Sequence, residues 1–155
     1  MKINGNVEDI IFKNSVNGYT VLNIDYNGSL LTCVGKAINI NVGEDVELEG
    51  NFVKNEKFGE QFAFTEINVT RPKSLESIKK YLASGLIKGI GPVTAEAIVN
   101  KFKEDTLSIL EYAPNKLSEV RGISSKKAIE IGEYYNEIKK MQEAVIFFAR
   151  VWNFY

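Results

Sequence analysis

A chain of 155 residues that is 45% apolar carries enough hydrophobic mass for one ordinary core or two small ones, so it is expected to fold. A formal net charge of −1 with 25% charged residues excludes a strongly basic tail, and any grip on a polyanion must come from local surface. With no histidine and a single cysteine, the composition also excludes Ser/His and Cys/His nucleophilic pairs, histidine metal sites and an internal disulfide.

From residue 2 to 69 the chain alternates, is rich in Val, Ile, Phe and Tyr, and is broken by Asn-Gly, Gly-Lys and Gly-Glu punctuation. This pattern predicts strands near 3–13, 19–26, 30–36, 46–54 and 61–69, with Asn27-Gly28 as a hairpin turn between the second and third. Five strands in so short a span suggest a small closed barrel. The turn Asn41-Val42-Gly43-Glu44 ahead of Val46 resembles the entry to the fourth strand of an OB-fold. Cys33 sits in an apolar run with Leu30, Leu31 and Val34 and is expected to fill the core. Of Phe12, Tyr19, Tyr26, Phe52, Phe58, Phe62 and Phe64, most lie in apolar patterns and are expected inside as well. Lys54, Lys57 and Phe58, near the tip between strands four and five, are the candidates for a secondary DNA contact.

Arg71-Pro72 ends the β region, because proline removes an amide donor and biases its predecessor away from helix. The period then changes: Leu75, Ile78, Tyr81 and Leu82 fall at helical spacing, and Gly85 terminates that helix. The expected fold class is α+β with two segregated domains. Residues 1–71 form an OB-like barrel, 72–136 a tandem helix-hairpin-helix domain, and 137–155 a C-terminal helix that begins a further helical unit. In that last helix Val145, Phe148, Val151, Trp152 and Tyr155 make an uncapped apolar stripe, expected to fold back or to meet an element beyond the end of the sequence. Charge divides along the same line, with a net −4 over residues 1–71 and +3 over 72–155, so the helical half is the better partner for a polyanion.

An internal repeat carries the most information. Lys88-Gly89-Ile90-Gly91 leads to Ala95 and Ile98, and Arg121-Gly122-Ile123-Ser124 leads to Ala128 and Ile131, at a constant offset of 33. Glycine permits positive φ and close approach to a ligand. The isoleucine plugs the turn into the core, and the alanine lets two helices cross at short range. Pro92 suits a first helical position, where its missing amide has no intrahelical partner. The amides left unpaired at the turn and helix start, with the positive end of the dipole, form an anion site that grips phosphate without reading bases. A single Gly-x-Gly between helices is most often only a connection, but two copies in register point to DNA. The phosphate-binding candidates are Lys88, Gly89, Gly91 and Thr94 in the first unit and Arg121, Gly122, Ser124, Lys126 and Lys127 in the second. Val93 and Thr94 stand where the second unit has Lys126 and Lys127, so the first is expected to bind more weakly. Ser124 replaces a glycine, which is expected either to strain the turn or to offer a hydroxyl to the phosphate.

The stretch Tyr-Leu-Ala-Ser-Gly-Leu-Ile-Lys-Gly-Ile-Gly-Pro at 81–92 closely resembles the N-terminal region of RecD-like DNA helicases of the long-N-terminus class, the exodeoxyribonuclease V alpha-type proteins. Ile3-Asn4-Gly5, Asn17-Gly18-Tyr19-Thr20-Val21-Leu22 and the second hairpin extend the resemblance over residues 1–148. The family commonly places proline before the second hairpin and glycine at its close, where this chain has Arg121 and Ser124. The resemblance implies an ATP-driven, 5′-to-3′ helicase of DNA repair and recombination, with its motor downstream. No Gly-x-x-x-x-Gly-Lys-Ser/Thr loop occurs in the 155 residues, so no ATP hydrolysis and no cofactor are expected here; ATP and magnesium belong to the motor domains. The expected partners are DNA, single-stranded or junction-containing, and the downstream motor domains. No apolar run approaches the roughly 20 residues that span a bilayer, and the N-terminus lacks a secretory pattern, so a cytoplasmic protein is expected. Two other readings share these features: a RuvA-like binder of Holliday junctions, which also sets an OB-fold before two hairpins, and a protein-docking module that does not touch DNA. A glycosylase or ligase is disfavoured, because no catalytic Asp or Lys environment follows the hairpins.

Overall fold

The structure, a computed structural model, describes the backbone of residues 1–152 and the side chains of residues 1–145 and 147. It divides into a unit Met1–Lys73 and a second that begins at Ser74.

In the first unit, β1 (Lys2–Lys13), β2 (Tyr19–Tyr26), β3 (Ser29–Lys36), β4 (Asp45–Asn55) and β5 (Gly59–Thr70) close into a barrel in the order β1-β2-β3-β5-β4. Strict alternation explains the inward face of β2, where Thr20, Leu22 and Ile24 are buried, and of β4, where Val46 and Leu48 are. Asn27 and Gly28 both take positive φ, the geometry of a tight hairpin turn between β2 and β3. Closure needs β1 to serve two neighbours, so Lys2–Asn6 pairs with β4 and Asn6–Lys13 with β2. The Asn41–Glu44 turn ties that junction together: the Gly43 N–H donates to Val7 O at 2.9 Å and the Val7 N–H to Glu44 O at 3.0 Å. The Glu44 carboxylate, buried, accepts from the Asn41 N–H at 2.6 Å.

The expectation of inward aromatics is corrected at two positions: Tyr19 precedes the buried Thr20 on β2 and so alternates outward, and Phe12, after two register shifts in β1 that cancel in their effect on facing, pairs with Val21 beside it. Phe62 and Phe64 are buried, and Tyr26 and Phe52 half-buried, but Phe12 is 52% exposed and Tyr19 40% exposed, their ring centroids 6.4 Å apart on the outside. Cys33 is fully buried among the barrel side chains, where desolvation pushes its thiol up to about 12.

The second unit packs α1 (Leu75–Ala83), α2 (Pro92–Phe102), α3 (Thr106–Tyr112) and α4 (Ser125–Trp152) around one core. Ser74 caps α1 through its hydroxyl, which accepts from the Ser77 N–H at 3.0 Å. Here the two repeats differ. The segment before the second hairpin is not one helix: Pro114 cannot continue α3, and Pro114–Glu119 forms a 3-10 turn instead. Nor does a new element start at 137. Residues 133–152 contain neither Gly nor Pro, and α4 runs through them unbroken. Lys139 on α4 donates to Glu111 on α3, which is nearly buried, and this ties the long helix to the body of the unit. Of the expected apolar stripe, Val145 is half-buried, while the side chains of Phe148, Val151, Trp152 and Tyr155 fall outside the described residues.

Gly50 shows how tightly β4 meets β5. A Cβ there would lie 2.0 Å from the Ala63 carbonyl oxygen and 2.7 Å from the Phe64 Cα, both backbone atoms that cannot swing away. Gly50→Ala is therefore expected to cost about 1–3 kcal/mol of barrel stability. Cys33 gives the readout, because a thiol held protonated and buried reacts only when the barrel opens. In mildly alkaline solution the folded wild type should react with dithionitrobenzoate far more slowly than the urea-unfolded chain. Gly50→Ala should accelerate the native reaction. An unchanged rate would mean that the two strands part at little cost.

Candidate nucleic-acid interface

The two hairpins repeat each other bond for bond. The Ile90 N–H donates to Ile87 O at 3.3 Å and the Ile123 N–H to Val120 O at 3.1 Å. One turn on, the Ala95 N–H donates to Gly91 O and the Ala128 N–H to Ser124 O, both at 2.9 Å. All these pairs keep the offset of 33 found in the sequence. The plugs Ile90 and Ile123 are buried, as are Ala95 and Ala128 at the helix crossings. Gly89 has φ +95 and Gly122 φ +94, a left-handed conformation that L side chains rarely adopt.

The second position of each turn has different chemistry from the first. Gly91 has φ −101 and ψ −175, extended backbone open to any residue, and nothing lies within 4 Å of an added Cβ. Ser124 at the matching place therefore brings no strain. Its Oγ accepts from the Lys127 N–H at 3.1 Å, capping the start of α4, whereas α2 has no side-chain cap and leaves the Val93 and Thr94 amides at its start. The hydroxyl still has a hydrogen to donate outward.

The structure brings five of the nine hairpin candidates to one place. Lys88 and Gly89 from the first unit, and Ser124, Lys126 and Lys127 from the second, line a groove of about 330 Å³ together with Glu130, Ile131 and Tyr134. Gly91, Thr94, Arg121 and Gly122 are not among its lining residues. The groove depends on contacts between the repeats. A Cβ on Gly89 would stand 3.7 Å from the Lys127 Cε and 3.8 Å from the Ile131 Cγ1, so the bare backbone of the first turn is the bed on which the Lys127 stem lies. Reaching the other way, the Lys88 ammonium stands 6.0 Å from the centroid of the Tyr134 ring. The first hairpin brings one lysine to the groove, Lys88, and the second brings two, Lys126 and Lys127. Glu130 and Tyr134 were not among the sequence candidates. Their signal was the spacing 127, 130/131, 134, which sets them on one face of α4 below Lys127.

In the barrel unit, Lys54, Lys57 and Phe58 lie exposed at the tip joining β4 to β5. Asn55 Oδ1 shapes that tip by accepting from the Lys57 N–H at 2.8 Å and the Phe58 N–H at 3.1 Å. Phe58 is 67% exposed, and the Lys57 ammonium sits 5.5 Å from its ring centroid. Among the described residues there is no group of three His, Cys, Asp or Glu side chains placed to hold a metal ion, and no helix long and apolar enough to cross a membrane.

Comparison with protein-family models gives two matches. Residues 1–72 match the model of the OB-fold domain of the ATP-dependent DNA helicase YrrC, and residues 80–132 match that of the SAM-like helix-hairpin-helix tandem.

The unequal glycines lead to a test with opposite signs. Gly91→Ser should leave stability unchanged or raise it by a few tenths of a kcal/mol, since it supplies the cap that Ser124 supplies in the other repeat. Gly89→Ser should cost about 1 kcal/mol or more through strain at positive φ. Urea titrations followed by far-ultraviolet circular dichroism would separate them, and a Gly89→Ser variant as stable as wild type would contradict the turn geometry.

Proposed function

We propose, for a chain whose residues 1–72 match the OB-fold domain of the ATP-dependent DNA helicase YrrC and whose residues 80–132 match a helix-hairpin-helix tandem, that it is the DNA-gripping N-terminal region of a RecD-like helicase. The observation that carries this reading is the convergence of Lys88, Lys126 and Lys127 on one groove floored by hairpin backbone. Cations and backbone amides of this kind hold phosphate oxygens and read no base sequence, so the binding is sequence-independent. Arg121, Gly122, Gly91 and Thr94, placed outside the groove, extend the phosphate track along the faces of the two hairpins. The OB-fold match supports the helicase context over a four-way-junction binder.

On this reading the chain takes no part in ATP chemistry. Its 155 residues hold no phosphate-binding loop motif, and ATP and magnesium act in motor domains that translocate 5′-to-3′ during repair or recombination of cytoplasmic DNA. The barrel has the acidic balance of the chain, net −4, and contributes at most a local contact at Lys54, Lys57 and Phe58.

Each phosphate contact contributes roughly 0.9 to the slope of log affinity against log salt on duplex DNA. Replacing Lys126 and Lys127 together by Ala should therefore weaken binding to all sequences alike and flatten the slope by up to about two units. Gly89→Val should also weaken binding, because a β-branched side chain strains the turn at positive φ. Fluorescence anisotropy across a salt series, with duplexes of unrelated sequence and each variant shown folded by circular dichroism, makes the measurement. An unchanged slope in the double-lysine variant, or a loss that depends on sequence, would leave a protein-docking module as the better account.

A further inference from the structure

Resting on the phosphate reading above, we infer that the groove between the hairpins accepts one unpaired nucleotide, whose base stacks on Tyr134 while its phosphate meets Lys88 and Lys127. A site for phosphate alone needs cations and amides. This groove also contains an aromatic ring and a carboxylate, Tyr134 and Glu130. A carboxylate repels a phosphate, but it accepts hydrogen bonds from the ring and exocyclic N–H groups of a base. Cations with an aromatic face and an acceptor match the three parts of a nucleotide: its anion, its π surface and its donors.

The layout agrees with that division. Lys127 and Tyr134 are seven residues apart on α4, about 10 Å along the helix axis, so an anion held at the first turn leaves room for a planar group two turns below. Tyr134 is half-buried, packed against the core and lining the groove, with the Lys88 ammonium over its ring. The Lys88 ammonium, 6.0 Å from the ring centroid, is at the outer limit of a cation–π contact. An entering base takes its place over the ring, and the ammonium moves to the accompanying phosphate. In an intact duplex the base faces are covered by their neighbours, so only an unpaired nucleotide reaches the ring. The groove thereby favours DNA with a single-stranded end or fork over blunt duplex.

The test uses the 155-residue chain with a blunt duplex and the same duplex carrying a single-stranded overhang, with 2-aminopurine as its first unpaired base. The substitutions are Tyr134→Phe, which keeps the ring, and Tyr134→Leu, which keeps apolar packing but removes the π face. Wild type and Tyr134→Phe should bind the overhang roughly tenfold more tightly than the blunt duplex and quench the 2-aminopurine fluorescence. Tyr134→Leu should lose both the quench and the preference, its overhang affinity falling to that of the blunt duplex measured with the same variant. A Leu variant that retains them overturns the proposal. So does a wild type that shows neither, which needs no variant to fold. If wild type binds blunt duplex with the lysine-dependent slope yet ignores the overhang, the phosphate reading stands and the stacking platform falls. If neither DNA is bound, both fall.

Discussion

At the point where each hairpin reverses, an isoleucine side chain has to leave water, and the rest of the helical unit follows from that burial. Ile90 and Ile123 are both nearly inaccessible, and full burial of such a side chain is worth about 1.5–3 kcal/mol. Seating them forces the preceding residue into positive φ, a conformation that costs roughly 1–2 kcal/mol for anything but glycine. Glycine removes the cost, so the gain from burial is kept. With the isoleucine inside, the glycine and the next helix start are left exposed at the surface, uncapped by any side chain in the first copy and capped by Ser124 in the second. The exposed hairpin surface is thus the reverse side of a core contact. It needs no separate stabilisation, and the same hydrogen bonds hold it in both copies.

Much of this was legible in the sequence, and the exceptions have physical causes. Alternation placed β2 at the residues where it is found, because each inward side chain of that strand contributes to a closed core. What misled at Phe12 and Tyr19 was the apolar company they keep and not alternation, which sets Tyr19 outward beside the buried Thr20 and Phe12 opposite Val21. The constant offset of 33 located both hairpins, but it also suggested two equal pairs of helices. Pro114 breaks the first helix of the second pair, and the absence of any breaker after Gly132 lets α4 run on to Trp152. Both facts were present as residues. What outweighed them was the assumption that a repeat in the turns is a repeat in the elements.

For the site, residue types were legible and their meeting was not. Lys126 and Lys127 advertise themselves beside a turn, but nothing local says that the Lys127 stem lies against the Gly89 backbone or that Lys88 reaches Tyr134. These contacts join positions about 40 residues apart, and only packing of the two repeats creates them. Ser124 shows the converse. Read as a glycine replaced, it suggested either a strained turn or a hydroxyl for the phosphate; the second position of the turn is extended, so the strain falls away, and a serine there is a better helix cap than a glycine. The glycine that matters is the first of each pair.

Net charge is the weakest guide to what such a chain binds. A total of −1 would argue against DNA if charge acted as a sum, but at physiological salt an exposed charge is screened over about 8 Å. A phosphate in the groove responds chiefly to the side chains that line it, three lysines against the single carboxylate of Glu130. Because cations and carboxylate line the same small groove, the field across it is uneven, and an anion settles on the lysine side. What fills the remainder must tolerate or use a carboxylate and an aromatic face. That requirement separates a nucleotide from a bare anion, and it comes from the lining of the groove with no appeal to the charge of the whole.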